Sequence, residues 1–154
     1  MTTYNSPLVN NRIPPNGGHG FFQNSVHMHG SCTIPALTAN DVINMFSLPR
    51  NAVVVSLVLK ADSQLDSNGS PTLTFDVGVT GTPQLFMAAS ALVGRAVGPT
   101  SDNTMATGGR LYKNLTGAGL PVFVTAHASA ATGVAGSLEL DLEYYVEDVV
   151  GSPA

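Results

Sequence analysis

Residues Ser137–Glu147, SLELDLEYYVE, alternate apolar and polar side chains without a break. Leu138, Leu140, Leu142, Tyr144 and Val146 fall on one face, and Glu139, Asp141, Glu143, Tyr145 and Glu147 on the other. A period of two is the mark of a strand with one buried and one wet face. Working outward, the same period recurs in Thr72–Val79 (TLTFDVGV), in Val122–Ala128 (VFVTAHA) and from Ser25 to Ile34. In the last of these, Val26, Met28, Cys32 and Ile34 share a face, opposed by His27, His29, Ser31 and Thr33, and Pro35 ends the run. Ala52–Ala61 (AVVVSLVLKA) is β-branched and apolar, as expected of a strand buried on much of both faces. Asp41–Leu48 and Leu111–Leu115 are shorter strand candidates. Residues 84–93 (QLFMAASALV) fit a helix or a bulged strand equally well.

Turn chemistry separates these runs. Pro49-Arg50-Asn51 reads as a turn, and Asn68-Gly69 as a stronger one, because both residues tolerate positive φ. The second turn predicts that the strands on either side of it pair antiparallel. Residues 94–109, rich in Gly, Thr and Asn, read as a long exposed loop or hairpin tip. Seven or eight short strands at this spacing, with no crossover helices, predict an all-β antiparallel sandwich, with a jelly roll as one form of it.

Residues 1–24 differ from the rest. They combine Pro7, Pro14, Pro15, Gly17, Gly18 and Gly20 with Tyr4, Leu8, Val9, Ile13, Phe21 and Phe22. Such a stretch resists regular structure yet is too apolar for a solvated tail. It reads as an extended arm that docks on its own domain or on a neighbour, ahead of a single domain at 25–154. A chain of 154 residues needs no second domain.

Composition narrows the function. Charged residues are 10% of the chain, against about 25% in an average soluble domain, so much of the surface is neutral or covered by partners. That favours a homo-oligomer. The six basic residues are scattered singly, which excludes the clustered footprint needed for nucleic acid or an anionic membrane. A single cysteine, Cys32, permits no intrachain disulfide and reads as a small core residue. The start lacks the basic-then-apolar pattern of a signal peptide, and the longest apolar run, Ala52–Leu59, is too short to span a bilayer as a helix. These features predict a chain made in the cytosol that stays soluble.

Catalytic patterns are missing: GxSxG, GxxxxGK[ST], HExxH, CxxC and GxGxxG do not occur. His27 and His29 could grip a zinc ion with His19 or a carboxylate, but two histidines on a sheet face serve equally as polar surface. Pairing Cys32 with His29 as a nucleophile and base is the weaker reading of both. His127 reads as an isolated surface residue. Carboxylates two apart on the last strand line one wet face instead of facing each other across a cleft. Asp62, Asp66 and Asn68 fail the calcium-loop pattern, whose twelfth position falls on Phe75. The absence of Trp argues against a sugar-stacking platform. The expectation is therefore no enzyme, no cofactor and no metal.

Residues 41–83 (DVINMFSLPRNAVVVSLVLKADSQLDSNGSPTLTFDVGVTGTP) resemble a small protein type among the virion structural genes of tailed bacteriophages. The shared features are Leu48-Pro49, the strand Ala52–Lys60, the turn Leu65–Pro71 and Asp76-Val77-Gly78, and the closing GSLELDLEYYVED is similar to the end of such proteins. The resemblance implies location in the virion and a capsid-associated role, such as a decoration or cement protein on the head. Its partners would be capsid or other virion proteins and further copies of itself, a trimer being favoured. The expected interface comprises Tyr4, Leu8, Ile13, Phe21 and Phe22 of the arm with His27 and His29. The competing reading is a receptor- or glycan-binding sandwich of a fibre or spike, using the 94–109 loop; a small hydrolase is a distant third.

Overall fold

The computed structural model describes residues 3–5, 25–116 and 118–147. Among these described residues, nine strands form two facing sheets: β1 (Thr3–Asn5), β2 (Val26–Ile34), β3 (Val42–Leu48), β4 (Ala52–Ala61), β5 (Thr74–Val79), β6 (Thr82–Ser90), β7 (Thr100–Asp102), β8 (Leu120–Ala128) and β9 (Gly136–Val146). One sheet has the order β2-β9-β4-β7, the other β1-β3-β8-β5-β6. All pairings are antiparallel except that of β1, which runs parallel to β3 with Tyr4 opposite Ile43. Apart from β1, this is the eight-stranded double Greek key of a jelly roll. The all-β sandwich expected from the strand pattern is thus what forms.

β9 is central, with a neighbour on each edge, and its alternation gives the sheet one buried and one wet face. It pairs with β2 from Val26↔Tyr144 to Ile34↔Gly136 and with β4 from Ala52↔Val146 to Ala61↔Leu138. Its inward residues Leu138, Leu140, Leu142 and Tyr144 are buried against Ile43, Met45, Phe75, Val77, Phe86, Val122 and Val124 of the opposite sheet. Burying each large apolar side chain stabilises the fold by about 1.5–3 kcal/mol. Cys32 lies in this core, as read from its strand position. At Gly30 the two sheets approach closely: a Cβ there would stand 3.0 Å from Phe46 Cδ1 and 3.1 Å from the Met45 carbonyl.

Several sequence expectations need correction. The strands flanking Asn68-Gly69 do not pair, because β4 and β5 belong to different sheets and residues 62–73 cross between them. Asn68 does turn the chain, its side-chain oxygen accepting from Ser70 N at 2.9 Å, but within a loop. Residues 84–93 are not helical: β6 takes in most of them, with irregular pairing to β5 and a positive φ at Ala89. Leu111–Leu115 is not a named strand, yet it runs along β4, with Leu111 N on Val54 O and Asn114 N on Ala52 O, both at 2.9 Å. The 94–109 stretch is no simple exposed loop; it contains β7 and the buried Asp102.

The loops at one end are joined by a single carboxylate. Asp66 is fully buried and accepts five backbone N–H groups: those of Thr72 (2.8 Å), Leu73 (3.1 Å), Ala131 (3.0 Å), Thr132 (3.0 Å) and Asn68 (3.3 Å). Its own N–H and that of Leu65 donate to the Gly94 carbonyl, which draws in a third loop. Burial by itself would raise the carboxyl's proton affinity, but the donors at Thr132, Ala131, Leu73 and Thr72 outweigh it and hold the group well below the usual carboxylate range. A depressed folded-state pKa stabilises the fold at pH values above the ordinary range and loses that contribution as pH falls through the folded value. Stability should therefore decline progressively below about pH 5. Asp66→Ala, which strands buried N–H groups, should cost about 3–5 kcal/mol at neutral pH and flatten that acid decline, as read by denaturant unfolding across pH.

Candidate assembly interface

The outer face of the β2-β9-β4 sheet carries a polar network fixed by strand register. His27 stands opposite Glu143 and His29 opposite Asp141, while Ser56 and Lys60 of β4 stand opposite Glu143 and Glu139. His29 Nδ1 lies 2.6 Å from Asp141 Oδ1, and Lys60 Nζ donates to the other oxygen of Asp141. His27 Nε2 is 3.9 Å from Glu143, whose carboxylate also accepts from Ser56 Oγ at 3.2 Å. Burial works to raise the Asp141 pKa, but Lys60 and His29 prevail and hold it below its usual value. Glu143 is lowered by hydrogen bonds from Ser25 and Ser56. The Lys60 ammonium is raised, chiefly by its bond to Asp141.

Both histidines face carboxylates on a wet sheet surface, and among the described residues no group of three His, Cys, Asp or Glu could hold a metal ion. Cys32 points into the core while His29 points out, so they do not form a nucleophile–base pair. Burial raises the Cys32 thiol. His127 is not isolated as expected: its Nδ1 lies 2.8 Å from Asp76 Oδ2, and Asp76 also accepts from Ala89 N at 2.7 Å, which pins the β6 bulge.

Of the expected interface residues, His27 and His29 share this face. Tyr4 lies in β1, at the edge of the other sheet. Leu8, Ile13, Phe21 and Phe22, with most of the arm, lie outside the described residues, as does His19. The sequence reading missed Lys60 and Ser56 as members of the network, because their place depends on pairing with a strand more than eighty residues away.

Comparison with known structures places the fold. The chain is similar to one in the "Capsid of Ralstonia phage GP4", 26% identical, with a TM-score of 0.77 over 96% of this chain and 99% of that one. It is also similar to one in the "Cyanophage Pam1 capsid asymmetric unit", 28% identical, with a TM-score of 0.70 over 84% of this chain and 90% of that one. A chain in the "Acidic stable capsid structure of Helicobacter pylori bacteriophage KHP30", 16% identical with a TM-score of 0.50, shares the fold alone. No protein-family model and no curated protein matches the chain. The chain has the fold of chains found in phage capsids. These likenesses support a tailed-phage virion structural protein located in the virion, and bear out the class expected from residues 41–83 and 136–148.

Two outcomes check the reading of this face. Lys60→Met should change folding stability by less than about 1 kcal/mol in urea unfolding, since its pair with Asp141 is partly exposed to solvent. Cys32 should react with a thiol reagent only as fast as the protein unfolds, because its thiol is buried and its pKa raised. A rapid native-state reaction would contradict the packing of β2.

Proposed function

We propose that this chain is a capsid decoration or cement protein that binds the head lattice and stabilises it through many weak, repeated contacts. The observation that carries the reading is the GP4 likeness, which spans 96% of this chain and 99% of a chain from a phage capsid. Low charge and a sheet face built of paired polar groups support it, because neither suits catalysis and both suit contact with other proteins. Repetition over a lattice turns modest contacts into firm attachment. In this reading the chain acts as a homo-oligomer, a trimer being favoured. Residues 1–24 are its arm, Tyr4, Leu8, Ile13, Phe21 and Phe22 dock on a neighbour, and His27 and His29 face a capsid subunit.

The test is binding to phage heads assembled without the protein. Labelled chain should co-sediment with such heads to a fixed saturating number per head and raise their heat resistance. A chain that leaves heads unbound but adheres to host cells would overturn the proposal in favour of a receptor-binding module.

A further inference from the structure

Two unlike surfaces lie at opposite ends of β4. Along its first half lie residues 110–115, which mix buried and exposed side chains. Tyr112 turns inward and meets Phe86 edge-on, with ring centroids 5.7 Å apart, and Asn114 is fully buried. Leu111 and Leu115 stay outside, 67% and 74% exposed, with the exposed Val55 next to the point where Leu111 N bonds Val54 O. The exposed Arg110 precedes Leu111, the exposed Arg50 precedes Asn51, whose N–H donates to the Asn114 carbonyl, and Lys113 between the leucines pairs with Glu147. Leu111 also has a φ of 56°, a left-handed conformation that a leucine seldom adopts. An exposed apolar side chain on strained backbone gains nothing in the isolated chain, and strain of this kind marks sites where something binds.

Over the second half of β4, whose edge β7 already fills, a groove of about 360 Å³ lies across the outer face of the sheet, lined from β9, β4 and the β7 segment. Ala61, Pro99 and Thr100 wall it, Asp62 and Glu139 bring negative charge, and Ser101 and Lys60 complete the lining, with Lys60 drawn toward Asp141. Ledge and groove are about 20 Å apart, six residues along one strand, so they cannot meet within one molecule. An apolar knob with exposed arginines near it on one part of a surface, and an apolar groove beside carboxylates on another, is the pattern of a heterologous contact between copies.

We infer that the Leu111–Leu115 ledge of one copy seats in the Pro99–Thr100 groove of a second copy, head to tail. This rests on the homo-oligomeric reading above and assigns it a surface. It also accounts for the position of Leu111: the contact that the strained leucine lacks in one chain is supplied by the next.

The test uses the full chain. Sedimentation should show self-association, and Leu111→Asn (which tolerates the left-handed backbone) and Ser101→Trp (which fills the groove) should each weaken it at least tenfold. The melting temperature of Leu111→Asn should stay within about 3 °C of the parent, since it removes no buried contact. Mixed under mild oxidation, a Leu111→Cys chain and a Ser101→Cys chain should form a disulfide-linked pair that neither forms alone. Cys32, being buried, does not compete. A chain that stays monomeric at about 100 μM, Leu111→Cys chains that cross-link to each other, or a Leu111→Asn chain that assembles like the parent would each overturn the inference. Head binding by a monomeric chain would overturn the ledge contact and leave the head-binding function standing; self-association without head binding would do the reverse.

Discussion

The fold depends on how a sandwich of sheets closes its open ends, and here a buried charge closes one of them. Asp66 gathers backbone donors from its own loop and from residues 131–132, while its neighbour Leu65 packs under Gly94 of a third loop. A buried carboxylate is unfavourable unless it is fully hydrogen-bonded, and five N–H groups meet that condition. The opposite end uses a neutral version of the same device. The amide of the buried Asn114 donates to the carbonyls of Leu48 and Pro49 at 2.9 and 3.0 Å and accepts from Thr116. With both ends tied, the sheets present fixed surfaces along their sides and edges.

Much of this architecture could be read directly from residue order, because it rests on local alternation. The inward row Leu138, Leu140, Leu142 and Tyr144 was visible as a pattern and is buried as a row. What could not be read was partnership. Asn68-Gly69 is a local turn signal, and a local signal cannot tell that Asp66 beside it anchors a crossing between sheets. Residues 84–93 read as helical or extended because Ala and Met suit both, and pairing with β5 makes strand of them as far as Ser90. Leu111–Leu115 read as a strand from its composition, and it lies along β4 through backbone bonds without forming a regular ladder.

The candidate interface was legible only in part. His27 and His29 were placed on one face from spacing alone, and they share it. Their partners Glu143 and Asp141 lie more than a hundred residues further on, and no short-range pattern joins them. The exposure of Leu111 was equally hidden, since its left-handed backbone leaves no trace in composition. The class of protein was nearer the surface: scarce charge, missing catalytic patterns and the phage-like turn at residues 65–71 pointed the same way as the capsid likenesses.

The central place of β9 also sets a schedule for the chain as it is made. β2 and β4 flank β9 in the sheet but precede it by many residues, so neither gains its main partner until residues 136–146 have left the ribosome. Until then β4, apolar on much of both faces, waits with an edge unfilled, in the state most open to joining another nascent copy wrongly. The strand that completes the sheet is also the most regularly charged on its outer side, and it pairs with both waiting edges at once.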